Sequence, residues 1–259
     1  MPVRIRTLDT VAELRGAQEL FQQVWRNPVP QVTAELMRAA GHAGCYVAGA
    51  YLDDRLVGAS FALLGRGSGG DVRLHSHITG VLPDVRGRHV GWQLKLHQRA
   101  WATERGIALV TWTFDPLVRR NAWFTVARLG AVGVEYLVDF YGPMLDGLNA
   151  GEPSDRLLVE WWLSSPRVAA AVGGTPVPAP GDGVVVLDAA NGAPDVAGEA
   201  PGDVAALVAL PEDVESLRAA DPALARAWRV AVRAALTPLL AAGRRVVAVT
   251  ADGYLVVAP

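Results

Sequence analysis

The densest run of chemistry in the sequence is Arg86-Gly87-Arg88-His89-Val90-Gly91-Trp92. An extended segment over residues 72–81 leads into it through Leu82-Pro83, and a helical pattern from Gly91 to Arg105 follows it. The first N–H groups of a helix have no intrahelical partners and carry the positive end of its dipole. Glycine lets an anion come close to such a backbone. A strand, an Arg/Gly loop and a helix start therefore describe a phosphate cradle, to which Arg86 and Arg88 add positive charge.

His75 and His77 lie two apart on the extended segment and so share one face of it. Histidine titrates near neutral pH, so the pair could shuttle protons or hold a substrate carboxylate. Packing within the sheet is the other reading. The spacing could also suit zinc, but no third ligand is evident, and no metal is expected. Asp115 closes the next strand, where it could orient an acceptor or cap the following helix. Asn121 stands near the start of that helix. Arg156 opens a later strand and could meet a carboxylate, or pair with Asp155 or Glu160. Trp112 suits a pocket wall or core. Cys45 has no evident base beside it for a covalent mechanism.

These residues need positioning elements, and the pattern supplies them. Residues 3–7 alternate as a short strand. Asp9 or Thr10 can cap a helix with apolar residues at Val11, Leu14, Ala17, Leu20, Phe21 and Val24. A second helix spans about 33–40. Residues 45–52 and 56–64 read as a hairpin around Asp53-Asp54-Arg55. Gly65-Arg66-Gly67-Ser68-Gly69-Gly70 lacks the Lys-Ser/Thr ending of a phosphate loop and no helix follows it, so it reads as a hairpin tip. Beyond the cradle come a strand at 109–114, a helix at 117–128, a strand at 131–138 and a strand at 156–163. The fold class is α/β with a mixed sheet, in which only the middle crossover is a βαβ unit.

Composition narrows the functions. A net charge of -2 favours neither nucleic acid nor an anionic membrane surface as partner. A single cysteine excludes an internal disulfide framework and fits a reducing, cytoplasmic setting. The first residues lack a signal-peptide core, and no long apolar run suggests a membrane span.

The string Val81-x-Pro83-x-x-Arg86-Gly87-Arg88-x-x-Gly91 between a strand and a helix resembles motif A of the GNAT acyltransferase superfamily. The element order over residues 1–163 is similar to that fold. His75-Ser76-His77, Trp112 to Pro116, Arg120-Asn121-Ala122 and Tyr141-Gly142 resemble a branch of long bacterial GNAT proteins with a C-terminal extension. The resemblance implies an acyl-CoA donor, acetyl-CoA or succinyl-CoA, and a small-molecule amine acceptor, first of all an amino acid. It implies that the pyrophosphate takes N–H groups from Arg86 to Gly91, including His89 and Val90, with Trp92 beside them. It also implies that the pantetheine arm pairs near Thr79, Gly80 and Val81, and that Asn121 contacts the arm or an adenosine phosphate. The acyl group passes directly to the amine, with His75, His77, Asp115 and Tyr141 as acid–base candidates. Two departures stand out. His89 replaces a usual Gly, and Val126 stands where many members carry the Tyr that protonates the leaving thiolate. Tyr141 is the expected replacement. These departures leave room for a protein that binds acyl-CoA or a metabolite as a sensor or assembly module without turnover.

From Pro166 the composition shifts. The expected division is a GNAT domain over 1–165, a linker-like segment over 166–202 with a short strand, and a βαβ-like extension over 203–259. In the extension Asp221-Pro222 opens a helix reaching Ala242, with a kink expected at Pro238. Its apolar character could serve a homodimer.

Overall fold

Every element of the first half is arranged around one strand. The computed structural model describes residues 2–67, 69–142, 152–175, 177 and 181–258. The chain forms two compact units, one built on Met1–Trp112 and the other on the chain from Thr113 onward. Residues 143–151, between two of the expected strands, lie outside the described residues.

In the first unit, strands β1 (Arg4–Thr7), β2 (Tyr46–Leu52), β3 (Arg55–Arg66), β4 (Val72–Val81) and the start of β5 (Leu109–Phe114) lie side by side in chain order. The first four pair antiparallel, and β5 runs parallel to β4. Helix α1 (Val11–Trp25) starts in a capping box: Thr10 accepts from the Glu13 N–H, and Glu13 accepts from the Thr10 N–H. Helix α2 (Ala34–His42) is capped by Thr33. Leu14, Ala17, Leu20 and Phe21 bury the inner face of α1. Helix α3 (Val90–Glu104) lies on the other face of the sheet. A Cβ at Gly58 would meet Val90 and Leu94 of α3, whereas one at Gly80, on the opposite face, would sit 2.9 Å from the Trp25 ring of α1. Gly80 is therefore a packing glycine that lets α1 press onto β4. The Gly-rich stretch after β3 is a hairpin tip, with the Gly67 N–H bonded to the Asp71 carbonyl.

In the second unit the expected helix over 117–128 is α4 (Arg119–Ala122) running into a π-helical stretch, Trp123–Arg128. Strands β6 (Val132–Leu137) and β7 (Arg156–Trp162) pair antiparallel. The stretch expected to be linker carries a helix and two strands among its described residues. Ser165 caps α5 (Pro166–Val172), and β8 (Val184–Ala190) and β9 (Ala193–Val196) form a hairpin. Then come β10 (Ala206–Ala209), α6 (Val214–Ala220), α7 (Pro222–Ala241), β11 (Arg245–Val249) and β12 (Gly253–Val257). The strands of this unit run in the order β7-β6-β11-β12-β10-β8-β9. The extension is thus part of one sheet with β6 and β7, through β11 against β6.

Helix α7 is anchored by charge as well as by its apolar face. Arg229, 1% exposed, makes a two-bond fork to Asp115 at 2.8 Å and 2.8 Å. Arg218 adds a third contact at 2.5 Å, and the Leu117 N–H donates to the same carboxylate. One turn on, Arg233 forks to the fully buried Asp155, which also accepts from the Tyr136 hydroxyl at 2.7 Å. Removing one partner of such a buried pair leaves the other charged and desolvated. Arg229→Leu should therefore destabilise the protein by about 3–5 kcal/mol, read as a lowered urea midpoint. A change below 1 kcal/mol would show that α7 is held by its apolar face alone.

Candidate functional site

The cradle residues do assemble as strand, turn and helix start. After β4, Pro83–Val85 form one 3-10 turn, buried through Leu82 and Val85 and pinned by an ion pair at 2.6 Å between Arg55 and Asp84. Gly87 then adopts φ +84° and His89 φ +58°, so the chain reverses through two left-handed residues before α3 begins. His89 precedes the first helical residue and gives α3 no side-chain cap. The usual Gly is explained by that φ; histidine is among the side chains that tolerate it, at some conformational cost.

The N–H groups of Gly87, His89, Val90 and Gly91 make no backbone hydrogen bond among the described residues. Arg86 and Arg88 are exposed and form no ion pair within 4 Å among the described residues. A Cβ at Gly91 would meet nothing closer than Val81 at 3.8 Å, so packing does not require glycine there. Open donors, two free guanidinium groups and a bare backbone face fit a pyrophosphate.

The strands beside the cradle also leave an edge open. β4 pairs with β5 only at Leu74–Val110 and His75–Thr111; beyond His75, its β5-facing edge has no ladder partner among the described residues. Unpaired N–H and C=O groups of a strand edge take up an extended, amide-bearing ligand. Thr79, Gly80 and Val81 lie along this stretch, with the Thr79 hydroxyl 2.8 Å from that of Ser60.

His77 is the extra residue of a β-bulge, since Phe61 faces Ile78 while Ala62 faces Ser76. It is exposed, and its ring meets Phe61 edge-on at 6.1 Å. His75, half-buried, shares a 3.1 Å hydrogen bond with the Thr111 hydroxyl. Burial, reinforced by the charges of His77, Lys95 and Arg73, pushes its pKa down to about 4. It is a neutral imidazole at pH 7. Partial desolvation lowers the pKa of His77 too.

On the opposite face lies a residue that spacing did not single out. Lys95 of α3 is buried, with its ammonium 2.8 Å from the Ser76 hydroxyl, 3.1 Å from Gln98 Oε1 and 4.1 Å from the centroid of the Trp112 ring. Burial lowers its pKa to about 7. A lysine in a helix pattern reads as solvated surface, so only the structure reveals it.

Four expected site residues lie in the second unit, and the side chains of three of them are engaged there. Asp115 is not a free base. Burial alone would raise its pKa, but the hydrogen bonds and charge of Arg229, with the charge of Arg218, outweigh this and lower it. Its carboxylate is the anchor of α7. Arg156 is buried, donates to the Asp155 carbonyl at 2.8 Å and lies over the Tyr141 ring at 5.4 Å, so the structure does not leave it open for an acceptor. Tyr141 is 44% exposed, and its hydroxyl is 3.2 Å from that of Thr113. Asn121 is exposed on α4, with its backbone N–H on the Val118 carbonyl. Val126 is fully buried, so no hydroxyl stands at that position. Among the described residues no cluster of three or more metal-ligating side chains occurs, and no helix is long and apolar enough to cross a membrane.

Residues 1–115 match the family model described as an acetyltransferase (GNAT) domain. The fold also agrees with solved structures. An N-acetyltransferase from Staphylococcus aureus Mu50 is 12% identical, with a TM-score of 0.51 over 63% of this chain and 99% of that one. The yncA protein of Salmonella typhimurium, solved with its cofactor acetyl-CoA, is 16% identical, with a TM-score of 0.50 over 63% and 95% of the two chains. No curated protein matches the sequence.

The neutral state of His75 has a measurable consequence. Its folded pKa lies below the unfolded value of 6.5, so its contribution to stability is complete above pH 6.5 and is lost as pH falls toward 4. His75→Gln should flatten the stability–pH curve between pH 4 and 6.5 in urea titrations. An unchanged slope would place the imidazole in water.

Proposed function

We propose that this protein is an acyl-CoA-dependent N-acyltransferase that moves an acetyl or succinyl group directly to the amine of a small molecule, in the first place an amino acid. The observation that carries the reading is the start of α3. Four N–H groups, from Gly87 and His89 to Gly91, lack backbone partners there, two exposed arginines flank them, and a strand with an unpaired edge leads to them. Acyl-CoA, when bound, supplies an activated thioester, and the residues of the chain hold and orient it.

In this reading the N–H groups at 87–91 and the guanidinium groups of Arg86 and Arg88 neutralise the pyrophosphate. The open edge of β4 over Thr79–Val81 aligns the pantetheine amides. A backbone N–H near the His77 bulge polarises the thioester carbonyl as an oxyanion donor. The attacking amine must be neutral, and His77, exposed and with a lowered pKa, takes its proton directly or through water. His75, neutral and tied to Thr111, positions this strand. A monomer or a dimer could carry this chemistry.

Calorimetric titration with CoA and acetyl-CoA, paired with a free-thiol assay across an amino-acid and amine panel, tests the reading. Arg86→Ala and Arg88→Ala should each weaken CoA binding several-fold, more at low salt than at high salt. His77→Ala should lower kcat while leaving CoA affinity nearly unchanged. Binding without thiol release for every amine would favour a binding-only role. Absence of acyl-CoA binding would remove both.

A further inference from the structure

At the fork where β4 and β5 part, the described residues offer more hydrogen-bond donors than acceptors. His75–Thr111 is the last ladder pair, and the next residue on each strand is Ser76 or Trp112. Lys95 reaches the fork from α3 and touches both: its Nζ is 2.8 Å from Ser76 Oγ and 4.1 Å from the Trp112 ring centroid. Among the described residues, its other hydrogen-bond partner is Gln98 Oε1 at 3.1 Å. Among the described residues, no carboxylate lies within 4 Å of this buried ammonium. Gln98, 0% exposed, leaves its Nε2 without an acceptor among the described residues. While Lys95 is charged, turning the amide over would aim N–H groups at the ammonium, which is worse.

An unpaired buried cation and an unsatisfied buried amide are both costly, and both are relieved by one added group with acceptor oxygens and negative charge. On the proposed reading, the thioester lies along β4 near the His77 bulge, one residue from Ser76. The acyl chain beyond the thioester carbonyl then has this fork beside it. We propose that Lys95, with Gln98 and Ser76, reads the far end of the acyl group and selects donors whose acyl chain ends in a carboxylate, of the succinyl type, over acetyl. This rests on the acyl-CoA reading of the cradle. It assigns Lys95 to specificity and to no step of the transfer.

Burial keeps Lys95 partly neutral at neutral pH. A carboxylate beside it would restore the full charge, so a carboxylate-ended donor should carry proton uptake that acetyl-CoA does not. The neighbouring titratable groups are His75 and His77, whose lowered values keep them neutral at pH 7–8 and silent in this measurement.

The full-length protein is titrated calorimetrically with CoA, acetyl-CoA and succinyl-CoA at pH 7.5, in buffers of different ionisation enthalpy. The expected result is succinyl-CoA binding at least tenfold tighter than acetyl-CoA, with net proton uptake seen only for succinyl-CoA. Lys95→Met, which keeps the stem and removes the buried charge, should cut the succinyl-to-acetyl affinity ratio at least tenfold and abolish the uptake. Gln98→Leu, with Lys95 intact, should lower the ratio less and keep the uptake. If acyl-CoA binds but the wild-type ratio is near one and neither donor draws a proton, Lys95 is a core residue and the inference is overturned. If no CoA species binds, the cradle reading falls, and this inference with it.

Discussion

The constraint on which the first unit depends is the unequal pairing of β4. Along one edge it is bonded to β3 for nearly its full length, interrupted only by the bulge at His77. Along the other it is bonded to β5 at two positions and then released. Continued pairing would fill the edge of β4 over Thr79–Val81 with β5, and the turn into α3 would lead away from a closed sheet. Because the strands part, an open edge, a reversed turn and a helix N-terminus follow one another without a break. Gly80 allows α1 to brace β4 from one face, and Val90 and Leu94 of α3 pack on the other. The edge is therefore open while its strand is held on both faces.

The second unit is stabilised differently, by buried charge at the root of its longest helix. Arg229 and Arg233 are four residues apart on α7 and so project from one face, each forked to a carboxylate. Neither Asp115 nor Asp155 can be uncovered cheaply, and Asp155 also holds the Asp139 N–H and the Tyr136 hydroxyl. Asp139 and Ser154 bond to each other, and the Ser154 hydroxyl accepts from the Tyr141 N–H. The backbone at Tyr141 is thereby tied, through Asp155, to a helix far along the chain. The C-terminal extension shares a sheet and two buried ion pairs with the rest of this unit.

Local signals in the sequence were legible where one segment decided the outcome. Thr10, Thr33 and Asp221 cap the helices they precede, Asp53 forms the hairpin turn, and Pro83, Gly87 and Gly91 mark the cradle. Segments whose order depends on distant partners were not. Residues 166–172 read as linker because a run of alanines shows no amphipathic stripe, yet Ser165 caps them as a helix and Val168 and Ala171 are buried. Asp115 resembled a site carboxylate because its partner Arg229 lies 114 residues away. Lys95 was overlooked for the converse reason: a helical lysine normally finds water, and only the register of β4 and β5 places Ser76 and Trp112 around it. The bulge at His77 left no trace in the alternation.

The central claim is that the turn into α3 is the phosphate site of an acyl-CoA donor. Backbone amide NMR of the full-length protein during titration with CoA tests it most directly. The account predicts saturable shifts concentrated at the amides of Gly87, His89, Val90 and Gly91, with smaller ones along Thr79–Val81. Saturable binding that leaves these amides unmoved and perturbs another surface would contradict it.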